Sequence, residues 1–270
     1  IEHVGGYGVE VLGDSTHVAV ERCHIHDTAA GGVKVFHASR RRAGGDRDGP
    51  RGADAWHHPR HVRITDCHIH AGGRWWRQAV GVLVGKASGV HVLHNHIHDL
   101  YYSGVSVGWT WGYQESHTFA NVIEWNHIHN IGQGELSDMG AVYTLGKQPG
   151  TRIRFNHIHH VDARCYGGWG IYPDEGSSDI LIESNLVHDT KYDPLSIHYA
   201  RDLTVRNNIF AFARNDALVG LSRLEPHIAA TVEGNIIVTD GVPVGRRPYN
   251  APCPAEGLAM DHNLYFDLSG

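Results

Sequence analysis

Lysine is scarce in this chain: Lys34, Lys86, Lys147 and Lys191 are the only four in 270 residues. Lys and Arg together number 23 against 29 Asp and Glu, and no basic block stands out, which argues against a nucleic-acid partner. There is no run of 18 apolar residues, so no membrane span is expected. Cysteine is also sparse, and four in a chain of this length do not make a disulfide framework. Cys23 and Cys67 hold equivalent positions in the pattern described below, and stacking would bring them within disulfide range. Two buried thiols are the preferred reading, and Cys165 and Cys253 have no evident partner. Apolar stripes at helical spacing over ten or more residues are missing too, which excludes a helical repeat. The chain begins at Ile1 rather than Met and is expected to be a fragment of a longer protein.

What is present is a recurring phrase. Cys23-His24-Ile25-His26-Asp27 returns as Cys67-His68-Ile69-His70, Asn95-His96-Ile97-His98-Asp99, Asn126-His127-Ile128-His129-Asn130 and Asn156-His157-Ile158-His159. It then decays into Asn185-Leu186-Val187-His188-Asp189, Asn208-Ile209-Phe210, Asn235-Ile236-Ile237 and Asn263-Leu264-Tyr265. The steps are 44, 28, 31, 30, 29, 23, 27 and 28 residues, the period of a stacked repeat. Three positions before and two after the first residue of each phrase, every copy is apolar and mostly β-branched, as a buried pleated surface demands. The pattern predicts an all-β, single-stranded right-handed parallel β-helix, a solenoid of the pectate-lyase type with about nine coils. Residues 1–270 would form a single rod on the order of 40 Å long. The Asn column would be an amide ladder, each side chain bonding its neighbours about 4.8 Å away. Residues 37–60 break the period with the run Arg40-Arg41-Arg42, glycines and two prolines, and read as a loop insertion. A second loosening from Pro243 to Pro254 precedes a last coil, Met260 to Phe266, and the first coil is expected to start near residue 14.

A third strand recurs as Gly32-Val33-Lys34-Val35, Val82-Leu83-Val84, Val105-Ser106-Val107, Val142-Tyr143-Thr144, Ile171-Tyr172-Pro173, Leu195-Ser196-Ile197 and Leu218-Val219-Gly220. Period-2 alternation turns Lys34, Leu83, Ser106, Tyr143, Tyr172 and Ser196 outward, followed by Phe36, Gly85, Gly108, Leu145, Asp174 and His198. Tyr143 and Tyr172 would stack on adjacent coils, as would Asp174 and His198. The turns beside this strand lengthen into Arg74–Arg77, Gly132–Asp138, Asp162–Trp169 and, on the exit side, Trp109–Glu115. Stacked loops rich in aromatics and carboxylates make a groove suited to sugar rings, whose C–H faces stack on aromatics. The expected contacts are Trp109, Trp111, Glu115, Tyr143, Trp169, Tyr172, Glu175 and His198.

The His-x-His pairs flank an inward Ile, so both imidazoles of each pair face out, forming two columns. A metal array is conceivable on such columns. They lack the carboxylates or enclosed cavity of a closed site, so a neutral stacked ladder with no metal and no cofactor is the expectation. Stacking should depress the His pKa values. Asp138 and Asp174 are the acids singled out, because glycosyl transfer to water needs one carboxyl as acid and one as base or nucleophile. An Asp close ahead of a Gly is also ordinary turn chemistry. In extended strands the two would lie far apart, so the loop carrying Asp138 would have to fold over the groove.

The runs Leu136-Ser137-Asp138-Met139-Gly140-Ala141-Val142-Tyr143-Thr144-Leu145-Gly146 and Tyr166-Gly167-Gly168-Trp169-Gly170-Ile171-Tyr172-Pro173-Asp174-Glu175-Gly176 resemble bacterial β-helix proteins of glycoside hydrolase family 141. Pro173 stands where the resemblance leads one to expect Thr. The resemblance implies α-L-fucosidase- or xylanase-type activity on plant cell-wall glycans, with Asp138 and Asp174 as the catalytic pair. It also implies a secreted protein, extracellular or periplasmic. The expected partner is a polysaccharide or oligosaccharide, and the expected state is a monomer. A polysaccharide lyase on uronate glycans is the first alternative, disfavoured by the scarcity of lysine and the lack of a dense acid cluster. A non-catalytic carbohydrate-binding rod is the second.

Overall fold

Among the described residues, three strands per turn repeat nine times. The computed structural model describes residues 1–37, 58–246 and 257–270. Within them the strands sort into three nine-stranded parallel sheets, each taking every third strand in sequence order. The first sheet runs from Val9–Leu12 to Gly245–Arg246, the second from Ala19–Glu21 to Leu258–Asp261, and the third from His24–His26 to Leu264–Asp267. Most of the predicted 37–60 insertion and much of the Pro243–Pro254 stretch, with Cys253, lie outside the described residues.

The recurring phrase sets the register. Ile25, Ile69, Ile97, Ile128, Ile158, Val187, Phe210 and Ile237 pair in file in the third sheet and are fully or almost fully buried. Val20, Ile64, Val92, Ile123, Ile153, Ile182, Val205 and Val232 form the matching file in the second. Between them runs the amide ladder. Asn95, Asn126, Asn156, Asn185, Asn208 and Asn235 each donate Nδ2 to the Oδ1 of the next Asn at 2.9–3.0 Å. The same Oδ1 also accepts the backbone N–H of the Asn below it, for example Asn95 N to Asn126 Oδ1 at 3.0 Å. A second Nδ2 hydrogen reaches a carbonyl one coil back, as from Asn126 to Val92 O at 2.9 Å. No donor in the turn is left over, which is why an Asn is tolerated at almost zero exposure.

Cys67 stands in for an amide. Its thiol points at Val20 O (3.4 Å), the carbonyl that an Asn there would reach. Cys23, Cys67 and Cys165 are free thiols; Cys67 is buried as expected, whereas Cys23, in the first copy of the phrase, is only partly buried.

Two boundaries differ from the sequence reading. The first sheet begins before residue 14, with Val9–Leu12 in register with Val33–Phe36. The strand after Leu195–Ile197 is Val219–Leu221, not Leu218-Val219-Gly220: Leu195 pairs with Val219 and Ile197 with Leu221. Leu218 is just as buried as Val219, so hydrophobicity alone did not distinguish the two registers.

Candidate active site

The outer face of the first sheet is covered. Lys34, Leu83, Ser106, Tyr143 and Tyr172 form one outward file, as the alternation predicts. Yet all but Lys34 in that file are buried, as is Ser196, because the long turns fold back over this face. Tyr143, Leu145, Trp169 and Tyr172 make a separate apolar cluster outside the main core, with Trp109 and Tyr192 packed on it. The rings of Tyr143 and Tyr172 stack at 5.1 Å, and Trp169 lies 4.2 Å from Tyr172. Trp169 Nε1 is buried without a hydrogen-bond partner among the described residues.

The structure brings Asp138 and Asp174 together through tyrosines. Asp174 is only 6% exposed and accepts a 2.6 Å hydrogen bond on Oδ2 from the Tyr143 phenol. Tyr172 donates to Asp138 Oδ1 at 3.3 Å and also engages Asp174, so one phenol lies between the two carboxyls. The difficulty of distance is solved by the fold of the Gly132–Asp138 turn. Asp138 adopts a left-handed φ of 57°, its N–H donates to Tyr166 O (3.0 Å), and Ser137 Oγ accepts from Cys165 N (3.0 Å). The Asp162–Trp169 loop of the next coil thus holds this turn over Tyr172.

Burial dominates the electrostatics of Asp174. Burial is the largest influence on Asp174 and pushes its pKa up, against the Tyr143 hydrogen bond, with the Asp138 charge adding a smaller upward push. The His198 side chain pulls the other way; its Nδ1 meets Ser222 Oγ at 2.6 Å and its backbone N–H donates to Pro173 O at 2.9 Å. The phenols of Tyr143 and Tyr172 are driven strongly upward by burial and then by the Asp174 charge. They remain hydrogen-bond donors.

Other expected contacts are placed differently. Trp109 joins the cluster, and Trp111 packs edge-on against it at 5.6 Å. Glu175 holds the Trp109–Glu115 loop through its backbone carbonyl, which accepts from Gly112 N (3.2 Å) and Gly146 N (3.1 Å). Glu115 is ion-paired with Lys147 at 2.7 Å on the exposed surface. Two phenols escaped the sequence reading. Tyr102 donates to Asp138 O at 2.8 Å, and Tyr166, 54% exposed, engages the Asp138 side chain. Tyr102 sits in the turn before its coil's first-sheet strand, the same place that carries Asp138 one coil on; aligning turns as well as strands would have found it. Two cavities lie elsewhere. One of about 630 Å³ is lined by His3, Asp27, Arg74, Trp75 and Trp76, and one of about 310 Å³ by Asp99, Asn130, Asp162 and Arg214.

A family model described as "Right handed beta helix region" matches residues 112–245. With the three parallel sheets, this settles the fold. The chain is a right-handed parallel β-helix. Among solved structures, one titled "Glycoside hydrolase" is 24% identical, with a TM-score of 0.62 over 76% of this chain and 33% of that one. The surface protein and adhesin PfbA of Streptococcus pneumoniae is 12% identical, with a TM-score of 0.63 over 97% of this chain and 67% of its own. An alginate lyase from Paenibacillus sp. str. FPU-7 is 15% identical, with a TM-score of 0.52 over 97% and 92%. At these identities the likeness is one of fold. This β-helix spans a third of the length of that glycoside hydrolase. No curated protein matches the sequence.

Proposed function

We propose that this β-helix is a glycoside hydrolase with Asp174 as general acid and Asp138 as base or nucleophile. The observation that carries the reading is the unequal pair: a buried carboxyl with a raised pKa beside a more accessible one, linked by Tyr172. Glycoside hydrolysis requires that asymmetry, since one acid must hold a proton for the leaving oxygen while the other is ionised. Tyr143 keeps Asp174 in one orientation. Trp109, Trp111 and Tyr166 offer ring faces for a sugar, and Glu175 and His198 flank the acid. The resemblance to family 141 extends the proposal to fucose- or xylose-containing plant cell-wall glycans outside the cell.

A lyase needs a base to take the proton α to a uronate carboxylate. The tyrosines here are poor candidates, because burial beside two aspartates keeps their phenols protonated. The test is an assay of product type on xylan and on fucosylated oligosaccharides. New reducing ends without an ultraviolet-absorbing unsaturated product are expected. Asp138→Asn and Asp174→Asn should each lower kcat by about 10²–10⁴-fold, the usual worth of acid–base catalysis. Full turnover in either variant would remove the assignment; unsaturated product would indicate the lyase, and binding without turnover the carbohydrate-binding rod.

A further inference from the structure

On the third sheet, away from the aspartates, the imidazoles do more than stack. His24, His68, His96, His127 and His157 form one file and His26, His70, His98, His129, His159 and His188 a second, with in-file rings 4.8–5.2 Å apart. The files are cross-linked on the diagonal. Nε2 of His24, His68, His96, His127 and His157 meets Nε2 of His70, His98, His129, His159 and His188 at 2.7–2.9 Å. Each contact needs one ring as donor and the other as bare acceptor.

In two of the five contacts a carboxylate fixes which is which, and a third carboxylate touches His26 at the head of the second file. Asp27, Asp99 and Asp189 contact Nδ1 of His26, His98 and His188 at 3.0, 2.7 and 2.6 Å. An imidazole whose Nδ1–H is held by a carboxylate presents Nε2 as a lone pair, the arrangement that prepares histidine for a metal. The expectation of a metal-free ladder rested on columns without carboxylates; here three touch it. The diagonal pairs also draw in a third ring. His24/His68/His70, His68/His96/His98, His96/His127/His129 and His127/His157/His159 each have ligand nitrogens within 4.8 Å of one another.

We propose that this ladder is a binding site for divalent transition-metal ions of the zinc, nickel and copper type, three imidazoles holding each ion and water completing the shell. Imidazole-only donors select these metals over magnesium or calcium. A tetrahedral zinc with 2.0–2.1 Å bonds sets its nitrogens about 3.3 Å apart, so a diagonal pair opens by about half an ångström on binding. Neutral imidazoles bind without releasing a proton: the donor ring moves its N–H to Nδ1, and its Nε2 lone pair goes to the metal. Ions on adjacent triads would sit about one coil apart and repel, so alternate triads fill and two ions per chain are expected.

The test is equilibrium dialysis of EDTA-treated protein against ZnCl₂, with bound zinc counted by elemental mass spectrometry. About two equivalents are expected. His68→Gln/His127→Gln, which breaks all four triads, should lose both, whereas His17→Gln/His61→Gln, a stacked pair outside the ladder, should keep both. Less than one equivalent in the wild-type protein, or undiminished binding in a folded ladder variant, overturns the proposal. If the ladder variant does not fold, Cu²⁺ electron paramagnetic resonance on the wild type decides. Splitting from two or three nitrogens supports the site, and an all-oxygen spectrum overturns it.

Discussion

Asp174 is held at a cost that its own removal should reveal. Burial raises its pKa in the folded state, so the protein binds this proton more tightly than the unfolded chain does. Stability from the group is therefore full below the unfolded value, about 3.9, and is lost as pH rises through the folded one. Asp174→Asn keeps an oxygen for the Tyr143 hydroxyl and has no charge to bury. Its melting temperature should equal or trail that of the wild type near pH 4 and exceed it by about 2–4 °C at pH 7, equivalent to about 1 kcal/mol. Comparing the two proteins at each pH cancels every other titration. A difference that stays constant from pH 4 to 7 would show that Asp174 ionises freely. Such a gain, coupled to lost turnover, is the usual trade at a site strained for function. The sequence made Asp174 visible through its column, but not its acid strength. That depends on how completely the neighbouring loops cover it, and loop packing leaves no periodic trace.

Two ladders carry the strands, and they respond differently to perturbation. In Asn126→Ala, Asn95 N and Nδ2 lose their shared acceptor, and Asn156 Oδ1 and Val92 O each lose the Nδ2 donor, all in a dry turn. Each orphaned buried group costs about 1–3 kcal/mol, so a loss of at least about 3 kcal/mol is expected by denaturant titration. A loss below about 1 kcal/mol would mean that water enters the turn. The His ladder should answer to pH instead. Burial first and neighbouring imidazoles second depress His70 and His129 to about 4 and His159 to about 3, and lower His68, His96, His127 and His157 as well. The unfolded chain then binds more protons below about pH 6.5, so stability is full above that value and falls as pH drops towards 4. In EDTA, the melting temperature should drop by several degrees between pH 7.5 and 5. A flat profile would sink the stacked, depressed ladder. Both ladders were legible beforehand because period and alternation fix them: Asn126 and His127 had to stand over Asn95 and His96. The diagonal Nε2 contacts were not, since they depend on how the rings rotate about their side-chain bonds, which spacing does not encode.

At the scale of the rod, the loops that build the candidate site come from coils far apart in sequence and are held by close backbone approach. The Trp109–Glu115 loop is an example. It leaves the first sheet beside Gly108, donates from Gly112 to Glu175 O, and reaches on to Glu225 through the Tyr113 phenol. Arg201 lies 4.6 Å over the Tyr113 ring. Gly176 is where this loop touches the coil bearing Asp174. Its φ is +83°, and a Cβ there would fall 2.0 Å from Gly112 O. Sequence could place Gly176 after Asp174-Glu175 as a turn residue, but not show that a loop from two coils away rests on it. Gly176→Ala should therefore separate rod from site. Left-handed strain of about 1–2 kcal/mol is local, and the ladders on the other sheets are untouched, so the circular dichroism of the sheets should persist with a few degrees lost in melting temperature. The loop, pushed off its seat, should become cleavable by protease between Trp109 and Glu115. Turnover should fall, because Trp109 and Trp111 no longer stand against the Tyr143–Tyr172 cluster. If Gly176→Ala keeps both its protease resistance and its activity, the site does not depend on loops meeting along this flank, and the assignment of the aspartates to a shared groove fails with it.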